Sequence, residues 1–221
     1  MENTSKLKTQ LNKIRAPHPC RNLLLDIGAS FLILVFGTAL GILSKYLDGM
    51  DFDHFGFLLS IAARLDLGNV LTEMAIWLVM ALAIAALSRS PLKAAINVFL
   101  FFGGMCISYH ICSVILKGFD PGSYMLIWYG ITLVSPILGI ICWYARGDSL
   151  VSIILDIPIL AILSCYCFSV GWFYFYFRNG LYTVLFLIGA AALYKSPKQI
   201  VIAAAAGIIL SMLLGPMLPF H

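Results

Sequence analysis

The sequence predicts an all-α protein, a polytopic bundle of about seven transmembrane helices with its N-terminus in the cytoplasm. Three observations predict it. Hydrophobic residues make up 62% of the 221 positions, and charged residues only 11%, less than half the usual share in a soluble domain. The apolar residues fall in runs of about 20, the length that crosses roughly 30 Å of hydrocarbon at about 1.5 Å per residue. Lysine and arginine divide unevenly between the two sides that those runs define. No polar stretch is long enough to form a separate soluble domain, and mean hydropathy is +0.98.

The elements follow in order. Residues 1–22 form a basic cytoplasmic tail with Lys6, Lys8, Lys13, Arg15 and Arg21, and disorder is expected only before about residue 15. Span one covers 23–46. It is too long for a signal-peptide core and lacks a small-residue cleavage site, so it stays as an anchor. In 55–66 the apolar positions Phe55, Leu58, Leu59, Ala62 and Leu65 share one face, which predicts an interfacial or re-entrant helix on the outer side. Span two is 70–88, span three 94–116 and span four 122–144. Span five starts near 149 and reaches 170 or further. Span six, 180–194, is short, with Trp172–Phe177 as interfacial padding, and a six-span chain is the alternative. Span seven is 199–219, so 23–221 reads as one transmembrane domain.

Orientation follows from the cations. With the N-terminus inside, Lys6, Lys8, Lys13, Arg15, Arg21, Arg89, Lys93, Arg146, Lys195 and Lys198 lie in the cytoplasm. Lys45, Arg64, Lys117 and Arg178 lie outside. The excess on the inner side satisfies the positive-inside rule. A polybasic flank on a membrane span accounts for the N-terminal cluster, so no nucleic-acid partner is expected.

Two turns echo each other. Ala85-Ala-Leu-Ser-Arg-Ser-Pro91 matches Ala191-Ala-Leu-Tyr-Lys-Ser-Pro197. In each, a serine caps the next helix and proline takes its first turn. The flanking residues do not align, which favours convergence on one efficient turn over a duplicated hairpin.

Small residues mark packing faces. Gly37 and Gly41 form a GxxxG on span one, and Ala203, Gly207, Ser211 and Gly215 recur every fourth residue on span seven. Such faces let helix backbones approach closely. Packing within the chain is the simpler expectation; a homodimer or a partner membrane subunit is the alternative. Pro136 and Pro158 fall inside spans four and five and are expected to kink them.

Ionisable groups inside spans are expensive and carry the functional reading. Four qualify: Asp26, Glu73, His110 and Asp156. Gly103, Cys106, His110, Ser113 and Lys117 share a face of span three at three- and four-residue spacing. Glu73 and Trp77 share a face of span two. With Lys45, Trp128 and Tyr129 they reach one outer depth. An acid, a histidine, a cation and several aromatics at one level suit an organic solute with a cationic or polar group and an apolar body. The simpler account has Glu73 snorkelling, His110 making one interhelical hydrogen bond and the aromatics forming an interfacial belt. Asp156, preceded by Ser149 and Ser152, is a candidate proton or cation site at the inner end. Its alternative is a carboxylate bonded to those hydroxyls or to Arg21 or Arg146. Asp26 is expected to bond to Asn22, one turn below.

No catalytic motif is present, so no enzymatic activity is expected, and no cofactor or metal. Five of the six cysteines lie in apolar runs, where they read as small packing residues. Cys165 and Cys167 point about 200° apart on a helix.

The stretches Ser90-Pro-Leu-Lys-Ala-Ala-Ile-Asn-Val-Phe-Leu-Phe-Phe-Gly-Gly-Met105 with Ser108-Tyr109-His110, and Trp143-Tyr-Ala-Arg-Gly-Asp-Ser149 before Asp156-Ile-Pro158, resemble a family of small bacterial polytopic membrane proteins. That family has no assigned function, and the resemblance covers roughly 85–160. It implies a bacterial inner membrane. In size and span number the chain is also similar to the substrate-binding membrane components of energy-coupling-factor uptake systems, an analogy of architecture. Their small-residue docking motif has a counterpart only in Gly37/Gly41. Two functions follow as expectations: a small-solute-binding or transport component with an outward-facing pocket, or an accessory subunit that docks a partner through its small-residue faces.

Overall fold

The computed structural model describes residues 2–19, 22–47, 73–118 and 120–215. The expected interfacial helix at 55–66, the start of span two and the last residues of span seven lie outside them. The elements are α1 (Glu2–Ile14), α2 (Leu23–Leu47), α3 (Met74–Leu87), α4 (Pro91–Lys117), α5 (Gly122–Ala145), α6 (Leu150–Cys167), β1 (Phe168–Gly171), β2 (Tyr174–Phe177), α7 (Gly180–Leu193) and α8 (Pro197–Leu214). Helices α2, α4, α5, α6 and α8 are long and apolar enough to cross a bilayer, and α3 and α7 are shorter apolar helices. The chain is therefore an integral, multi-pass membrane protein. Its surface agrees: Phe31, Leu32, Ile115, Leu126, Leu133 and Val201 each expose more than half of their area, which water would penalise and acyl chains satisfy.

Two elements differ from the sequence reading. Residues 2–14 form a helix, where disorder was expected; Leu11 and Ile14 lie three residues apart and share one apolar face. Span five ends at Cys167, and the aromatic stretch after it folds back as an antiparallel hairpin, Phe168 opposite Phe177 and Gly171 opposite Tyr174. Phe, Tyr and Val favour strands, and a two-residue turn at Trp172-Phe173 closes the pair. Phe168 anchors the hairpin, with its ring 4.9 Å from Phe175 and 5.1 Å from Phe186 of α7.

The helix starts follow local chemistry. Ser90 and Ser196 each cap a helix, accepting from the N–H of Lys93 and Gln199, with Pro91 and Pro197 in the first turn. The two echoed turns thus share one geometry. The likeness ends there: α3 packs closely on its successor α4, whereas α7 packs on α3 and α6 and barely touches its successor α8. Asn179 caps α7 and Ser149 caps α6.

The two most extensive helix interfaces are α2 with α4 and α6 with α8. Small residues make both. A Cβ on Gly37 would strike the Phe101 backbone, and one on Gly41 would strike Met105 O and Ser108 Oγ. Ser108 Oγ donates to Thr38 O at 2.9 Å across this contact. On α8, a Cβ on Gly207 would meet Leu160 of α6 at 3.0 Å. Ser211 is fully buried, and its carbonyl accepts from the Cys165 thiol at 3.7 Å. Both small-residue faces are thus used within the chain; Gly215 follows as the C-cap of α8. The core forms two clusters. One centres on Trp77, Phe101, Phe102 and Trp143, the other on Leu160, Leu163, Phe168 and Leu193. Helix α3 contributes to both, Trp77 and Ala85 to the first and Val79 and Leu82 to the second.

Candidate functional site

At the end of the bundle away from α1, four helices converge on an aromatic cavity. Its lining is Ser44 from α2, Trp77 from α3, Met105, Cys106 and Tyr109 from α4, and Tyr124, Met125 and Trp128 from α5. The spacing explains the set: Met105, Cys106 and Tyr109, like Tyr124, Met125 and Trp128, lie at three and four residues and so share a helix face. Trp77 is 3% and Trp128 9% exposed. Tyr124 packs edge-on to Trp128 with centroids 6.3 Å apart. The Cys106 thiol lies 3.4 Å from Thr132 Oγ1. The buried Lys45 ammonium sits 5.1 Å from the centre of the Tyr109 ring, a distance at which the ring face attracts a cation. The cavity's volume is about 30 Å³, room for roughly two waters.

The residues expected at one outer site occupy three places. Trp77 and Trp128 line the cavity, and Lys45 stacks on its wall. Glu73, at the head of α3, pairs with Arg178 at 3.3 Å. The Arg178 guanidinium also lies 5.8 Å from the Tyr182 ring, so this pair ties α3 to the start of α7. His110 Nδ1 is 2.8 Å from Tyr129 Oη, and its Nε2 is 3.0 Å from Asp120 Oδ1. With Nε2 donating to Asp120, Nδ1 accepts from the tyrosine hydroxyl. His110 and Tyr129 border a shallow apolar groove with Ile107, Ile111 and Val114, apart from the aromatic cavity.

Two polar clusters lie nearer α1. Asp26, on the first turn of α2, is bound by Arg89 at 3.0 Å rather than by Asn22. Asn22 instead accepts from the Leu24 N–H. Lys93, Ser30, Asn97 and Ser88 extend the cluster. Asp156 is fully buried between α6 and α8. Gln199 Nε2 donates to its Oδ2 at 2.8 Å, and Oδ1 has no partner among the described residues. Ser152 donates instead to Tyr144 O. Sequence reading missed Arg89 and Lys93 in the Asp26 cluster and Gln199 beside Asp156, because each lies outside the helix that carries the aspartate. The one available signal was their position in, or just before, the first turn of helices that start at the same end.

Arg15 closes the α1 end. It donates to Trp143 O at 2.6 Å and Ala86 O at 2.9 Å, and lies 4.3 Å over the Trp143 ring. Burial, reinforced by neighbouring Arg146, lowers its pKa to about 10, which leaves it charged at physiological pH. Among the described residues, no three His, Cys, Asp or Glu side chains converge as a metal site would need.

No family model, no curated protein and no solved structure matches the chain.

Proposed function

We propose that the protein binds a small organic solute in the aromatic cavity and acts as a binding or transport component, with seven crossings and the α1 end in the cytoplasm. The supporting observation is the cavity itself. Two tryptophans, two tyrosines, a thiol and a hydroxyl from four helices line one small cavity. Aromatic walls with few polar groups suit a solute with an apolar or aromatic body and one polar or cationic group. The cavity has to widen for such a solute to enter, as a binding or alternating-access component does.

Orientation rests on charge. Lys6, Lys13, Arg15, Arg89, Lys93, Arg146, Lys195 and Lys198 belong to α1 or to the turns and helix starts beside it, which favours that end for the cytoplasm. The cavity then opens outward. Helices α3 and α7, 14 residues each, rise about 21 Å. Their crossings leave the bilayer locally thin, with the hairpin rings as interfacial padding. A bacterial inner membrane is the location that the family resemblance implies. Gly37 and Gly41 are covered by α4, so docking of an energy-coupling partner through that pair would require α4 to move.

The test is a thermal-shift and calorimetric screen of aromatic amines and heterocycles on protein in nanodiscs. The proposal expects at least one compound to bind, and Trp128→Ala to abolish its binding while the fold persists. No binder, or binding indifferent to Trp77 and Trp128, contradicts it.

A further inference from the structure

Near the α1 end, α2 and α3 barely touch and leave a groove of about 380 Å³ between them, floored by α4. Its walls are apolar: Leu25, Ala29 and Ile33 from α2, and Ala83, Ile84 and Leu87 from α3. Leu25 and Leu87 each keep 65% of their area exposed. One end of the groove is polar and built. Lys93 Nζ donates to Asp26 O at 3.0 Å and to Ser30 Oγ at 3.2 Å. Ser30 donates to Asn97 Oδ1 at 2.7 Å, and Asn97 donates to Ser88 Oγ at 3.1 Å. Arg89 Nη1 holds Asp26 Oδ1 at 3.0 Å.

The charges do not cancel. The Asp26 carboxylate pairs with Arg89, while Lys93 bonds, among the described residues, only to the Asp26 carbonyl and the Ser30 hydroxyl, so this end of the groove is net positive. Arg89 is 48% exposed on its side chain. A guanidinium has five N–H donors, and Asp26 takes one of them. Asp26 lies in the first turn of α2 and Lys93 in the first turn of α4. That is the depth at which a span meets lipid headgroups. A positive, hydrogen-bonding end at headgroup level, continued by apolar walls towards the membrane centre, has the polarity of one phospholipid molecule.

We infer that this groove holds one phospholipid of the leaflet facing the α1 end, its phosphate on Arg89 and Lys93 and one acyl chain between α2 and α3. A soluble phosphate would use only the polar end, and a neutral diacyl lipid only the walls. The groove requires both.

Native mass spectrometry of the full chain, delipidated and then titrated with phosphatidylglycerol, tests this. Two variants separate the two halves: Arg89→Gln removes the main phosphate donor, and Ala29→Phe fills the groove at an exposed wall position without touching a charge. The expected result is one tightly held lipid on the wild type. Each variant should weaken it about tenfold, the loss of one charged hydrogen bond in the first case. Diacylglycerol should bind far more weakly than phosphatidylglycerol, and glycerol phosphate should not compete with it. Equal retention by the wild type and Ala29→Phe overturns the site, even where Arg89→Gln fails to fold. Competition by glycerol phosphate overturns it in favour of a soluble-anion site, and equal binding of diacylglycerol overturns it in favour of a non-specific apolar groove.

Discussion

The Lys45 ammonium lies 5.1 Å from the centre of the Tyr109 ring, and Tyr109 lines the same cavity as Trp77 and Trp128. A buried cation and two buried indoles therefore adjoin the Tyr109 ring. Replacing Tyr109 by Leu removes the ring that receives Lys45. The expected cost in stability is about 1–2 kcal/mol, as for a desolvated cation–π contact, while Tyr109→Phe keeps most of it. Thermal unfolding in detergent compares the two variants.

Glycines on one helix separate sharply. Gly28 of α2 has nothing within reach of an added Cβ, whereas Gly41 would drive one into Met105 O and Ser108 Oγ. Gly28→Ala should be neutral or stabilising by up to about 1 kcal/mol, since alanine is the better helix former. Gly41→Ala should destabilise by about 1–3 kcal/mol through overpacking. Equal melting temperatures for the two variants would contradict the close α2–α4 contact.

Asp156 and Gln199 make a buried pair with one carboxylate oxygen unpartnered among the described residues. Asp156→Asn preserves an acceptor for Gln199 and is expected to keep stability within about 1 kcal/mol of the parent. Asp156→Leu leaves the Gln199 amide only its long bond to Gly147 O at 3.5 Å and should cost about 1–3 kcal/mol. If Asp156 is also a proton or cation site, the Asn variant folds but loses any coupled movement of solute, which a flux measurement in proteoliposomes detects.

Arg15 joins the segment after α1 to α3 and α5 through two carbonyls and the Trp143 ring. Arg15→Ala should destabilise by about 2–4 kcal/mol, from two charged hydrogen bonds and the ring contact less solvent compensation. Arg15→Lys should recover only part of this, because an ammonium cannot reproduce the planar fork. Limited proteolysis between 14 and 23 gives a second readout, with faster cleavage expected in both variants.

The helices were legible because hydropathy and capping act locally. The run at 122–144 became Gly122–Ala145, and Ser90-Pro91 and Ser196-Pro197 marked two helix starts. The hairpin at Phe168–Phe177 was not, since an aromatic run after an apolar one has the same hydropathy whether it continues a span or folds back. Helix α1 was masked by its charge, although Leu11 and Ile14 carried its stripe. The site was legible in part. Trp77 and Trp128 face one cavity because each had one helix face to occupy. The partners of Glu73, Asp26 and Asp156 lie 105, 63 and 43 residues away, and no periodicity links such distant positions. Only the packing of α3 on α7, α2 on α4 and α6 on α8 brings them together.

The central claim, an aromatic solute cavity that opens away from the cytoplasm, is tested most directly at Cys106, whose thiol lines it. With Cys106 as the sole cysteine, a small membrane-impermeant methanethiosulfonate is applied to intact cells and to inverted vesicles. The account predicts slow labelling in intact cells, faster labelling in Trp128→Ala, protection by any solute found to bind, and none in inverted vesicles. Labelling only in inverted vesicles, or none on either side even in Trp128→Ala, would contradict it.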